Sequence, residues 1–222
     1  MTTARGMTSV GPEQLPDLQR LALTYAPSAA RRQTLALLSL DGRLAGIVRG
    51  AREPILAQMR LAWWRDRFSE DRAAWPEGEP LLAILREWSG SLGGLSAMAD
   101  GWEVLLTEGD LTAATISEFA AGRGEGWAVL ASELGADQAE ARKAGRAWAL
   151  VDLASHLTSE PDQAAAAELI AGHSFDHPAL PRSLRTLAVL HALAARSVRR
   201  GAGMLDGAGA VATAMRVGIV GR

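Results

Sequence analysis

The stretch QMRLAWWRDRFSED, residues 58–71, places two adjacent tryptophans, three arginines and two aspartates within fourteen positions. A soluble helix ordinarily shows one apolar stripe and one wet one, and this stretch fits neither. On a wheel turning about 100° per residue, residues 53–72 separate into four stripes. Ile55, Leu56, Met59 and Trp63 form one apolar stripe, and Leu61, Trp64 and Phe68 form another. Each tryptophan therefore serves a different neighbour, and both are expected to be largely buried. Gln58, Arg65, Ser69 and Arg72 make a solvent face. Glu53, Arg60, Arg67 and Asp71 make a charged stripe flanked by apolar walls. That stripe is either a salt-bridged seam, with Arg67 and Asp71 paired at i,i+4, or the lining of a polar cavity. In the second case Asp71 or Glu53 neutralises part of the charge on Arg60 and Arg67.

Working outward, apolar residues recur at helical spacing in nearly every segment, and alternating β-branched runs are missing. The chain reads as one all-α domain over residues 1–222, with residues 1–12 flexible. Pro27 closes a helix around 13–25, and a second covers 28–49. Glu53-Pro54 opens the tryptophan helix, since proline suits a first helical turn, and that helix is expected to end near Pro76. Further helices are expected over 79–89, 95–107, from Thr112 onward, and over 137–158, 161–172 and 178–200, with a short element in the tail. The glycine-rich AAGRGEG predicts a kink in the helix that Thr112 caps.

A net charge of -2 gives no general attraction to nucleic acid. The absence of cysteine removes disulfides, thiolate metal sites and cysteine nucleophiles, and suits a cytoplasmic setting. No secretory signal and no apolar run of about 18 residues occurs, so no transmembrane segment is expected, which leaves peripheral membrane contact open.

EPILAQMRLAWWRD resembles the Arg-Leu-x-Trp-Trp-Arg-Asp signature of the squalene and phytoene synthase family. RRQTLALLSLDGRLAGIV is similar to that family's first active-site helix, ISEFAAGRGEGWAVLASELG to its aromatic-x-x-x-Ala-Gly helix, and AGRAWALVDLASHL to its second active-site helix. The resemblance runs in order over about residues 15–200. It implies an isoprenoid synthase-like helical bundle around a central cavity, in which active members join two prenyl diphosphates head to head. That chemistry uses Mg2+ held by Asp-x-x-x-Asp pairs on two facing helices. Here the first pair falls on Ala45 and Arg49, with Asp41 one turn earlier, and the second on His156 and Glu160, with Asp152 a turn before. On a continuous helix Asp152, His156 and Glu160 share a face.

The resemblance therefore implies a degenerate member, similar to the relatives that act as respiratory complex I assembly factors. No catalytic residue, metal or cofactor is expected in it. Arg49, Arg60, Arg67 and Asp71 are its candidate ligand-binding residues, with an isoprenoid or prenyl diphosphate, or a protein partner in complex assembly, as the occupant. Arg49 either holds an anion without metal or closes the emptied site with a salt bridge. Two alternatives stand beside this one. The first is an active head-to-head prenyl synthase, which would need Mg2+. The second is a purely structural helical interaction protein whose cavity has collapsed.

Other chemistries find little footing. HSFDH, residues 173–177, reads as a turn rather than a metal site. No Gly-x-Ser-x-Gly elbow occurs. GRGEG follows no strand and the only lysine is Lys143, so a phosphate loop is unsupported. RSVRRG, residues 196–201, places cations where they complement a helix C-terminus.

Overall fold

The computed structural model describes residues 10–221, so the expected looseness of residues 1–9 lies outside the described residues. From Pro12 the chain is ordered into helical turns, beginning with a 3-10 turn over Pro12–Gln14. Ten α-helices follow, and no strand occurs among the described residues. They are α1 (Asp17–Leu23), α2 (Ser28–Arg49), α3 (Pro54–Ser69), α4 (Pro80–Arg86) and α5 (Gly93–Glu103). After them come α6 (Ala113–Glu133), α7 (Gln138–Ala154), α8 (Glu160–Ala171), α9 (Arg185–Arg200) and α10 (Gly207–Met215). A π-helical turn over Arg216–Val220 extends α10. One cluster of buried side chains runs from Leu15 to Val217. No helix among the described residues is long and apolar enough to cross a membrane.

Local chemistry sets the boundaries. Pro54 and Pro80 stand in first turns, where a missing N–H costs nothing. Thr112 and Asp137 accept hydrogen bonds from the Thr115 and Glu140 amides at 3.1 and 2.8 Å, capping α6 and α7. Gly201, at φ 60°, takes the left-handed turn that ends α9.

Two expectations about length are corrected. The tryptophan helix stops at Ser69, short of Pro76, because Asp71 accepts from the Ala73 amide at 3.0 Å and caps a separate 3-10 turn. The final expected helix over 178–200 starts only at Arg185, behind a 3-10 turn over Arg182–Leu184.

α6 runs without a break through AAGRGEG. Its glycines serve close approach instead of a kink. A Cβ on Gly122 would lie 2.4 Å from the Ala97 carbonyl oxygen of α5, and one on Gly124 would lie 2.8 Å from the Arg142 carbonyl oxygen of α7. α6 can press its backbone against both neighbours only because those side chains are missing, and it packs most extensively against α7 and α5.

α3 divides differently from the wheel's expectation. Ala57, Leu61, Trp64 and Phe68 are buried, whereas Ile55, Leu56 and Met59 lie on the surface and Trp63 is 36% exposed. Only one of the two tryptophans is in the core. The reason is that α3 packs mainly on α5 and α2. The expected solvent face is also turned inward in part: Arg65 is half-buried and forms ion pairs with Asp100 and Glu103 of α5, and Arg72 donates to the carbonyls of Trp88 and Gly90.

Candidate functional site

α2, α6 and α7 bring three charged side chains together at the centre of the molecule. Arg123 of α6 is 1% exposed. Its Nη2 and Nε donate to Asp41 of α2 at 2.6 and 3.1 Å, and its Nη1 donates to Asp152 of α7 at 2.7 Å. Burial alone would push this guanidinium toward neutrality, but the two carboxylates outweigh that and hold its pKa above the ordinary value. Its Cζ lies over the Trp148 ring, 4.0 Å from the centroid, with Trp102 and Phe119 also alongside. Guanidinium groups stack on aromatic faces in this way because they are flat and weakly hydrated.

Asp41, 3% exposed, is bonded on all sides. Trp102 Nε1 donates to its Oδ1 at 2.9 Å, and Gln19 Nε2 donates to its Oδ2 at 3.4 Å, in addition to the two bonds from Arg123.

Beside this triad lies a cavity of about 400 Å3. Small-molecule sites commonly fall within about 300–1,000 Å3. The triad and Trp102 form its inner wall, and Leu15, Leu18 and Gln19 from the first turns of the chain form another wall. α2 contributes Ala45, Gly42 and Gly46, and a Cβ at either glycine would meet nothing within 4 Å. Two buried polar atoms of the lining, Gln19 Oε1 and Ser39 Oγ, have no hydrogen-bond partner among the described residues. Buried polar atoms are normally paired.

The mouth of the cavity is cationic. Arg49 and Arg60 both line it, both are exposed, and neither has an acidic partner among the described residues. Arg43, also in the lining, is bound to Glu79 at 2.6 Å. His156 completes the rim, with its Nδ1 2.7 Å from the Asp152 carbonyl oxygen.

Thus Ala45, Arg49, Arg60, Asp152 and His156 come together around one cavity, and three other candidates do not. Arg67 pairs with Glu70 rather than Asp71 and lies 5.3 Å from the Trp63 ring centroid. Asp71 is exposed and occupied in its cap. Neither it nor Glu53 neutralises Arg60. The expected row Asp152, His156, Glu160 is broken, because α7 ends at Ala154 and Glu160 begins α8 behind the Ser159 cap. Among the lining residues that sequence reasoning missed are Arg123, Trp102, Gln19, Ser39 and Arg43. A signal for Arg123 existed in its glycine neighbours, because a helix lacking side chains at 122, 124 and 126 must be pressed between others, and an arginine in that run must be enclosed with it.

The residues present do not fit the Mg2+ that an active synthase would need. That ion takes hard oxygen ligands with lone pairs to give. Asp41 already accepts four bonds, Asp152 is tied to Arg123, and Ala45 and Arg49 bring no oxygen donor. Among the described residues, no group of three or more His, Asp or Glu is placed to hold a metal.

Comparison with known protein families, with curated proteins and with solved structures returned no match.

Proposed function

We propose that this chain is a squalene/phytoene synthase-like protein without Mg2+-dependent prenyl transfer, which holds an isoprenoid diphosphate or a related amphiphilic anion. The observation that carries this reading is the combination of a satisfied Asp41–Arg123–Asp152 triad inside the cavity with two unpaired arginines, Arg49 and Arg60, at its mouth. The triad removes the carboxylates from metal chemistry. The mouth supplies fixed positive charge for a diphosphate, which guanidinium groups bind in paired hydrogen bonds. An open cavity with orphaned polar atoms supports a bound molecule over a collapsed structural bundle. The proposed role is that of a binding or assembly-type factor in the cytoplasm, which presents its ligand or its loaded surface to a partner protein.

Calorimetric titration of farnesyl diphosphate into the protein in EDTA tests this. Binding is expected without metal. Arg49→Ala and Arg60→Ala should each weaken it about tenfold to a hundredfold, the equivalent of one charge-assisted hydrogen bond. Gly46→Leu should abolish binding, since the new side chain projects into the open lining. No binding by the unmodified protein would refute the anion site and leave Arg49 a structural role. Magnesium-dependent formation of a squalene- or phytoene-like product would establish the active synthase instead.

A further inference from the structure

The first two turns of α3 carry an apolar stripe that the bundle leaves outside. Ile55 is 61% exposed, Leu56 52% and Met59 64%, and Trp63 continues the stripe at 36%. Apolar residues scattered singly over a surface are ordinary, but a contiguous set on one helix face marks an interaction surface. The charges around it favour one kind of partner. Arg49 and Arg52, at the end of α2 and in the turn before α3, are exposed, as is Arg60 on α3 itself. None of the three has an acidic partner among the described residues. Glu53 is the one acid between positions 49 and 60, and Asp66 lies one turn past Trp63 and two past Met59.

A second copy of the chain docking through a two-fold axis would set these arginines against one another, at a cost in like-charge repulsion. An anionic bilayer complements both features. Side chains such as Leu56 and Met59 enter the acyl boundary, tryptophan prefers the headgroup level, and guanidinium groups bind lipid phosphates. We propose that the N-terminal half of α3 docks on the surface of an anionic lipid bilayer. Arg60 also lines the cavity, so docking sets the cavity mouth against the lipid headgroups. The docking face stands whether or not the cavity takes a prenyl diphosphate.

Co-sedimentation of the full chain with vesicles tests it, using equimolar phosphatidylglycerol and phosphatidylcholine against phosphatidylcholine alone. The unmodified protein should partition onto the anionic vesicles and not the neutral ones, and high salt should release it. Leu56→Glu combined with Met59→Glu should lower partitioning at least tenfold with an unchanged thermal midpoint, and Arg52→Ala should lower it without touching the cavity. Both Leu56 and Met59 are outside the cavity lining, so farnesyl diphosphate binding in the double variant separates a failed docking face from a failed cavity. The proposal is overturned by equal sedimentation with neutral vesicles, by no sedimentation, by no effect of the double variant, or by a concentration-dependent dimer which that variant dissociates.

Discussion

Replacing Arg123 by methionine should be the most damaging single change in the cavity wall. Methionine keeps most of the unbranched stem, so the change removes the guanidinium together with its bonds to Asp41 and Asp152 and its contact with Trp148. Its removal strands Asp41, 3% exposed, with only Trp102 and Gln19 donating to it, and leaves Asp152 without its ion-pair partner. Breaking one side of a buried ion pair costs about 3–5 kcal/mol, mostly because the remaining charge is uncompensated. For a domain of this size that corresponds to a fall in thermal midpoint of roughly 6–20 °C, at about 2–4 °C per kcal/mol. Urea unfolding followed by far-ultraviolet circular dichroism measures it, with the midpoint moving and the slope unchanged. The triple variant Asp41→Asn, Arg123→Met, Asp152→Asn should recover most of the stability, since whole buried ion sets are often replaceable at little cost. A deficit under about 1 kcal/mol would refute the view that Arg123 compensates the carboxylates of Asp41 and Asp152.

Trp64→Ala should cost about 3–5 kcal/mol as a buried aromatic truncation, whereas the partly exposed Trp63→Ala should cost about 1 kcal/mol or less; equal losses in urea unfolding would contradict the placement of the two rings. His191, 4% exposed, is held neutral by burial first and then by the nearby charges of His177, His173, Lys143 and Arg199, which lower its pKa to about 4. Its unfolded value is higher, so the stability it contributes is complete above about pH 6.5 and is lost as pH falls toward 4. The full loss is about 3 kcal/mol, and His191→Phe should flatten that part of the stability-pH curve. Gly42→Ala should stabilise α2 by up to about 1 kcal/mol, because its Cβ meets nothing within 4 Å. Gly122→Ala should destabilise by about 1–3 kcal/mol, because its Cβ would strike the Ala97 carbonyl; thermal midpoints that move the same way in both variants would count against this packing of α5 on α6.

Helix positions were legible because they rest on local chemistry: prolines 54 and 80 in first turns, the Thr112 and Asp137 caps, and the 3.6-residue spacing all act within a few residues. The partition of α3 was not, since its two apolar stripes are equally greasy in sequence and only the arrival of α5 and α2 decides which is covered. For the same reason Arg65, assigned to solvent, proved to face Asp100 and Glu103, which lie more than thirty positions away in sequence. At the site, Ala45 and Arg49 were placed by resemblance and Arg60 by the charged stripe of the helical wheel, and the three do meet at one cavity. Arg67 and Asp71 do not join them, because Glu70 and the cap at Ala73 offer nearer partners than the wheel could rank. Arg123 went unnoticed because its partners Asp41 and Asp152 lie 82 and 29 positions away, and nothing local announces an ion pair formed by three helices.

Gly42 and Gly46 stand one helical turn apart in the cavity lining with open space where their side chains would be. The bore of the cavity along α2 is therefore set by omission, and it can be narrowed in steps of one or two carbon atoms without disturbing a neighbour. Alanine, serine or valine at either position would act as plugs of graded length. Single substitutions in this wall would change the size of molecule the cavity can admit while leaving the bundle intact, so its bore is open to drift and to selection independently of the fold.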